Sequence, residues 1–413
     1  MSKYQSVRGT RDLLPEVKQT FRQIDQIAYK TAKNYGFREI ETPIFEFSDV
    51  FHRSLGETSD AVSKETYTFI DRGGESITLR PEGTAGVVRA FVSEGLAQLT
   101  PLKLYYYGPM FRYERPQRGR YRQFHQLGVE VLGVESALAD VECLDLAWNI
   151  LKNLNLSERC ILEINTLGDV ESRNAYRTAL VEYLTPFKDL LSDDSKLRFE
   201  KSPLRILDSK DEGDKKIVAN APLMENYLNE SSKKFFADVL GGLEKLKIPH
   251  QINSKLVRGL DYYCHTVFEF TTTELGAQSA ILSGGRYDGL VEMLGGPKIA
   301  GVGWASGVDR LVDLCSTSLA IENCKPISVI ARGDRALVEA IQISSFLRNK
   351  NRYCEVFLTG SFKRKLERAN KLNTSTAILI FEQENGSFEY KIKNFETGEE
   401  ESMTLQELLF NLG

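Results

Sequence analysis

Residues 102–107 and 127–132 are apolar, strand-like runs, and the segment between and across them limits the fold more than any other: FRYERPQRGRYRQFHQLGVEVLG, residues 111–133. Arg112, Arg115, Arg118, Arg120 and Arg122 place five guanidinium groups in eleven residues, opposed only by Glu114. Pro116 and Gly119 mark a turn between the runs, so the pattern predicts a long antiparallel hairpin with a cationic loop. Each arginine is a permanent charge with a planar donor fork suited to phosphate oxygens. Spacing alone leaves open a solvated basic hairpin. Position weighs against it: Arg112 follows an apolar strand containing Tyr105 and Tyr107, so it should project from a sheet, not from a loose tail.

At roughly 150 residues per domain, 413 residues suggest two or three domains and a large core. A composition 42% hydrophobic and 27% charged excludes a disordered chain, a collagen-like fibre and a small disulfide scaffold. The net charge of −4 excludes a uniformly basic nucleic-acid coat but not local basic patches. No segment approaches the roughly 18 consecutive apolar residues of a membrane helix, and the start, MSKYQSVRGTRDLLPEVK, has no secretory apolar core. The six cysteines are scattered, without a C-x-x-C pair. Zinc sites and disulfides are therefore not expected, and a reducing cytosol fits.

Along the chain, Phe21, Ile24, Ile27 and Ala28 fall at helical spacing. Between about residues 166 and 250 the pattern is helical and charged, as in an inserted subdomain, with SKDEGDKK (209–216) read as an exposed loop. A boundary is expected at 323–326. Beyond it ISVIAR, CEVFLT and TAILIF are short apolar runs, the first two followed by helical segments, which predicts a small α/β domain with a largely parallel sheet. Residues 326–371 hold ten Lys+Arg against four Asp+Glu, and residues 372–413 hold two against eight. A cationic and an anionic half follow.

Three further clusters carry chemistry. In TLRPEGTAG (78–86), Glu82 and Thr84 lie in a turn that starts a helix, where they can accept from an ammonium group or act as ordinary caps. LVRGLDYYCHTVFEF (256–270) sets Arg258 in an apolar run, where an unpaired charge is costly; a buried Arg258–Asp261 pair is one solution and a ligand anion another. SGGRYDGL (283–290) and GVGWASGVDRL (301–311) bring glycines that admit close backbone approach, and Arg310 as a phosphate or adenine partner. No Gly-Lys dipeptide, G-x-G-x-x-G, H-E-x-x-H or G-x-S-x-G occurs. Of four histidines, His125 lies in the hairpin and is read as a packing or hydrogen-bonding residue. What remains is a phosphate-handling site of arginines on an antiparallel sheet.

Together these segments resemble the histidyl-tRNA synthetases, within the class II aminoacyl-tRNA synthetases, from RGTRDLLP to the C-terminal domain. GFREIETPIFE (36–46) is similar to the first class II motif, with Pro43 expected at a dimer interface; the arginine hairpin resembles the second and GVGWASGVDRL the third. LVRGLDYY and SGGRYDG resemble the histidine-specific signatures. The resemblance implies an α+β fold: a class II antiparallel sheet flanked by helices over residues 1–325, a helical insertion at about 168–250, and an anticodon-binding α/β domain over 326–413. It implies ATP and Mg2+, L-histidine, tRNA(His) and a cytoplasmic homodimer off the membrane, with no metal ligands of the protein's own.

Residue by residue, the resemblance makes Arg112 and Arg258 catalytic and ATP-binding, and puts Arg310 beside the ATP. Glu130 and Tyr263 match the pair that reads the imidazole, Glu82, Thr84 and Gln126 the α-amino binders, and Tyr262 and Tyr287 the pocket walls. Arg115 and Gln117 match positions near the tRNA acceptor end, while Lys363, Arg364, Lys365 and Arg368 suit anticodon-stem phosphates. ILIFEQENGSFEY, the acidic run GEEES and Cys264-His265 depart from the pattern. An alternative is the synthetase-like regulatory subunit of ATP phosphoribosyltransferase, which typically lacks the C-terminal domain and has an eroded histidine signature.

Overall fold

The computed structural model describes residues 4–55, 65–117, 119–258, 262–275, 280–315 and 325–412. Arg118, Asp261 and residues 323–324 of the boundary expected at 323–326 lie outside the described residues. The chain forms two compact units, Met1–Ile321 and Glu322–Gly413. In chain order the first unit holds β1 (Arg38–Glu39), β2 (Phe45–Phe47), β3 (Tyr67–Ile70), β4 (Ser76–Leu79), β5 (Leu102–Phe111), β6 (Gln123–Leu132), β7 (Ile161–Thr166), β8 (His250–Ile252), β9 (Cys264–Thr271), β10 (Ala280–Arg286) and β11 (Gly301–Gly307). Among the described residues, eight of these make one sheet, β1-β5-β6-β11-β10-β9-β7-β8, and β2-β4-β3 make a small one. Only the β1–β5 and β7–β8 pairs of the large sheet are parallel.

The arginine-rich segment is the β5–β6 hairpin, registered from Leu102↔Leu132 to Phe111↔Gln123 and so longer than its apolar runs. Backbone hydrogen bonds between Gln117 and Arg120 close its tip, and Gly119 there has φ +69°, a region costly for side chains.

The glycine-rich segments are strands, and their alternation builds the site. Val302 and Trp304 of β11, Leu282 of β10, Phe268 and Phe270 of β9, and Leu127 and Val129 of β6 join the main core. Helices Pro15–Asn34, Ala137–Asn153 and Val308–Cys315 complete it, through residues such as Phe21, Ile24, Leu144 and Leu311. Because side chains alternate between faces, Ser283, Gly285, Gly303, Ala305 and Gly307 fall on the other side. The middle of that face is nearly bare, which leaves a depression. At Gly303 the space is already taken: a Cβ would stand 1.9 Å from a Glu130 carboxylate oxygen.

Between β7 and β8 the chain is helical, including Val170–Leu184, Asp193–Lys201, Glu212–Val218 and Glu230–Lys245. Tyr176, Leu180, Leu184, Ile206 and Met224 give this insertion its own core. The run SKDEGDKK is largely exposed, as its polarity predicts, but it is not a loop. Asp211 caps the Glu212–Val218 helix, accepting from the Gly213 and Asp214 N–H groups, and Asp214 is buried, accepting from the hydroxyls of Ser192, Ser195 and Ser209. Three donors from other positions make that burial tolerable.

The second unit contains β12 (Ile327–Arg332), β13 (Cys354–Val356), β14 (Thr376–Glu382), β15 (Phe388–Asn394) and β16 (Glu400–Met403), in the order β13-β12-β14-β15-β16. The three apolar runs are parallel strands, while β15 and β16 add antiparallel pairs. Part of GEEES lies in β16, where Lys393 meets Glu400 across the ladder at 2.6 Å. No helix among the described residues is long and apolar enough to cross a membrane.

Candidate active site

A cavity of about 320 Å³ opens on the bare face of the large sheet. Arg112, Arg258 and Arg310 line it, as do Glu82, Thr84, Gln126, Tyr262, Tyr263 and Tyr287. Glu130 lies beneath, fully buried under Gly303. Arg115 and Gln117 stand apart, exposed near the hairpin tip.

Each arginine is held by its own framework. Arg112 donates from Nε to the Pro81 carbonyl at 2.8 Å and lies 5.3 Å from the Phe124 ring centroid. Glu114, buried in the hairpin, sits 3.8 Å from Arg112 and 2.8 Å from Arg120. Arg310 donates to the Ala280 carbonyl across the cavity wall, and burial lowers its pKa. Arginine remains a cation under that pressure, so the site holds positive charge in a partly dry cleft. Arg258 pairs with Glu269 and donates to Ser283 Oγ at 2.9 Å. Among the described residues its ionic partner is thus Glu269, eleven positions on; the Asp261 suggested by sequence proximity lies outside them.

On the other side of the cavity, Glu82 accepts from the Thr84 and Ala85 N–H groups at 2.6 and 2.8 Å, capping helix Thr84–Ser93. It is therefore both a cap and a wall of the cleft. Thr84 Oγ1 donates to one Glu130 oxygen at 2.7 Å, and the Tyr287 hydroxyl donates to the other. Burial pushes the Glu130 carboxyl up to about 8, against the opposing pull of those two hydrogen bonds. Gln126 accepts from Gly83 N–H at 3.1 Å. Tyr262 packs against Tyr263, centroids 4.6 Å apart, and edge-on to Tyr287 at 5.8 Å. A buried carboxyl ringed by tyrosines is a site for a small ligand with both aromatic area and polar edges.

Other roles were not legible in the sequence. From RGTRDLLP, Arg11 bonds Asp309 at 2.7 Å and lies 4.0 Å over the Tyr121 ring. The second Asp309 oxygen accepts from His125 N–H at 2.8 Å, and Gly9 O from Arg122 N–H at 2.7 Å. This N-terminal segment thereby straps the hairpin to the helix bearing Arg310. The His125 ring packs 5.2 Å from Phe21, edge-on, and burial lowers its pKa. Arg286 of SGGRYDG is not at the cavity; it is fully buried against Asp140 and donates to the Val134 and Ser136 carbonyls. Removing one member of such a pair costs about 3–5 kcal/mol, so this signature arginine serves the fold.

In the second unit, Lys363, Arg364 and Arg368 are exposed on helix Phe362–Lys371. Lys365 is not: it is buried and donates from Nζ to the Ala331 carbonyl at 3.0 Å. Its charge is engaged by the domain's own backbone, which removes it from the set expected to meet nucleic-acid phosphates.

The family model for histidyl-tRNA synthetase matches residues 9–173 and 198–311. A histidine–tRNA ligase of Rhodospirillum rubrum is 51% identical over 405 residues, 98% of this chain and 97% of the relative. One of Gluconacetobacter diazotrophicus is 48% identical over the same span and coverage. The crystal structure of apo S. aureus histidyl-tRNA synthetase superposes with a TM-score of 0.83 at 35% identity, covering 99% of both chains. A Bacillus halodurans chain described as an ATP phosphoribosyltransferase regulatory subunit/histidyl-tRNA synthetase shares the fold alone, at 23% identity and a TM-score of 0.68, over 93% of this chain and 100% of its own. With the cleft, its arginines and its buried carboxyl in place, these likenesses over nearly the full length assign the chain to the histidyl-tRNA synthetase family.

Proposed function

We propose that this chain activates L-histidine with ATP, forming histidyl-adenylate and diphosphate, and then transfers the histidyl group to the 3′ end of tRNA(His), releasing AMP. The observation that carries the reading is the convergence of Arg112, Arg258 and Arg310, from three separate segments, on one cleft beside Glu130. In the first step the amino-acid carboxylate attacks the α-phosphate in line. Two anions must meet, so fixed positive charge matters more than a proton shuttle. Arg112 holds the carboxylate and α-phosphate, Arg258 meets the α-phosphate from another side, and Arg310 lies along the ATP. Glu130 and Tyr263 bond the imidazole nitrogens, Glu82, Thr84 and Gln126 take the α-amino group, and Tyr262 and Tyr287 close the walls.

Among the described residues no group of three or more His, Cys, Asp or Glu forms a metal cluster. The carboxylates Glu114 and Glu269 line the cleft but have arginine partners, a donor set that fits an Mg2+ ion carried in on ATP's own phosphates. Bound there, magnesium would supply Lewis-acid stabilisation of the phosphate charge, beside the arginines that hold the phosphates. Arg115 and Gln117 approach the tRNA acceptor end, and residues 326–413 are the anticodon-binding domain, meeting phosphates through Lys363, Arg364 and Arg368. Residues 1–325 are the catalytic domain. The protein works as a homodimer in the cytoplasm.

The direct test is charging: radiolabelled histidine, ATP, magnesium and tRNA(His) should yield acid-precipitable histidyl-tRNA. Folded protein that binds histidine and ATP yet charges no tRNA would contradict the transfer step and favour the regulatory-subunit reading.

A further inference from the structure

Arg258 emerges from a short connection after β8, yet its guanidinium is fixed by the sheet. Nη1 pairs with Glu269 in β9 and Nη2 donates to Ser283 Oγ in β10, while the buried Nε has no hydrogen-bond partner among the described residues. Glu269 and Ser283 are directly opposite each other in the antiparallel β9–β10 register, so they share a face and move as one unit. All three side chains line the cavity, and those of Arg258 and Glu269 are only 20% and 19% exposed. A cation on a loop is thus anchored at two of its nitrogens by neighbouring strands.

We infer that Glu269, with Ser283 assisting, is a positioning residue for adenylate formation: it fixes the plane of the Arg258 guanidinium so that the fork meets the α-phosphate as charge develops there. Without the pair, a flexible side chain would have to find that geometry during each turnover. Misplacing a catalytic group by about 1 Å can cost 10²-fold in rate. The Arg258–Glu269 pair exists before substrate arrives, and it acts on an interaction that strengthens in the transition state. It should therefore appear in kcat and leave the histidine KM nearly unchanged.

The inference rests on Arg258 serving the first step, and a double-mutant cycle separates the two claims. The readout is single-turnover adenylate formation by the full-length protein with histidine, ATP and magnesium. Arg258→Ala alone should slow it about 10²- to 10³-fold; near-normal adenylation would instead refute the Arg258 reading. Glu269→Gln keeps shape and one acceptor but loses the charge, and should slow the step about 10- to 100-fold with little change in histidine KM. In the Arg258→Ala background the same change should alter the rate less than about twofold, since no guanidinium remains to be positioned. An equal loss in both backgrounds would overturn the inference and make Glu269 an independent ligand of substrate or magnesium. Wild-type rates for Glu269→Gln would overturn it as well. Should Glu269→Gln melt at a markedly lower temperature, Ser283→Ala supplies the second variant. It should slow the step by a smaller factor that also disappears without Arg258, and a loss that persists there would count against the inference.

Discussion

At Glu130 a carboxyl group excluded from water accepts from Thr84 and Tyr287, and burial raises its pKa to about 8. Before histidine binds, at neutral pH, it therefore holds a proton. A free histidine ring, with an ordinary pKa near 6.5, is then largely neutral. On the proposed reading, in which Glu130 bonds the imidazole, binding joins one proton from the protein to a neutral ring, and that proton is shared across the new hydrogen bond without net exchange with solvent. Above about 8 the free protein has lost this proton and must recover it, so affinity should fall as pH rises through that value. Below about 6.5 the ring brings a second proton, and affinity should fall in that direction too. Calorimetry at about pH 8.5 in buffers of different ionisation enthalpy should count proton uptake by the wild type that Glu130→Gln lacks. Equal uptake by both would contradict this account. Glu130 itself is marked by the family resemblance, but its dependence on Thr84 and on the missing side chain at Gly303 is not, because those partners lie 46 and 173 positions away.

Helix Phe362–Lys371 shows what an element's sequence can and cannot tell. Charge counting marks the whole basic run as a nucleic-acid candidate. Helical spacing divides it: Lys365 and Ala369, four residues apart, are on the buried stripe, whereas Lys363, Arg364 and Arg368 are outside it. Replacing each of those three with alanine should flatten the log–log salt dependence of tRNA binding by about one unit for each phosphate left unneutralised. Lys365→Ala should leave the slope unchanged while destabilising the domain by about 1–3 kcal/mol, through the unpaired Ala331 carbonyl. A slope that flattens only for Lys365→Ala would reverse the assignment. The SKDEGDKK helix and the GEEES strand were illegible for a related reason: two of the three hydroxyls that satisfy Asp214, those of Ser192 and Ser195, and the lysine opposite Glu400 come from other segments.

For the whole molecule, the arginine hairpin was legible because it is a local signal, whereas the wider antiparallel sheet came only with the family resemblance. What covers its small neighbour is not local. In β2-β4-β3, Phe47 and Phe69 flank Ile77 in one row and are 59% and 48% exposed, with Phe45 exposed alongside. Apolar area of this kind beside Pro43 is the surface on which the homodimer proposal stands. Sedimentation should give twice the chain mass for the wild type and monomers for a Phe47→Glu, Phe69→Glu variant; a monomeric wild type, or a variant that stays dimeric, would contradict it.

All of this requires that one cleft both selects histidine and joins it to AMP. ATP–pyrophosphate exchange without tRNA, run with each of the twenty amino acids in turn, tests both halves together. Exchange is expected with histidine, and background with the other nineteen. Background with all twenty from folded protein would contradict the adenylation chemistry, and exchange with a different amino acid would contradict the reading of Glu130 and its tyrosines.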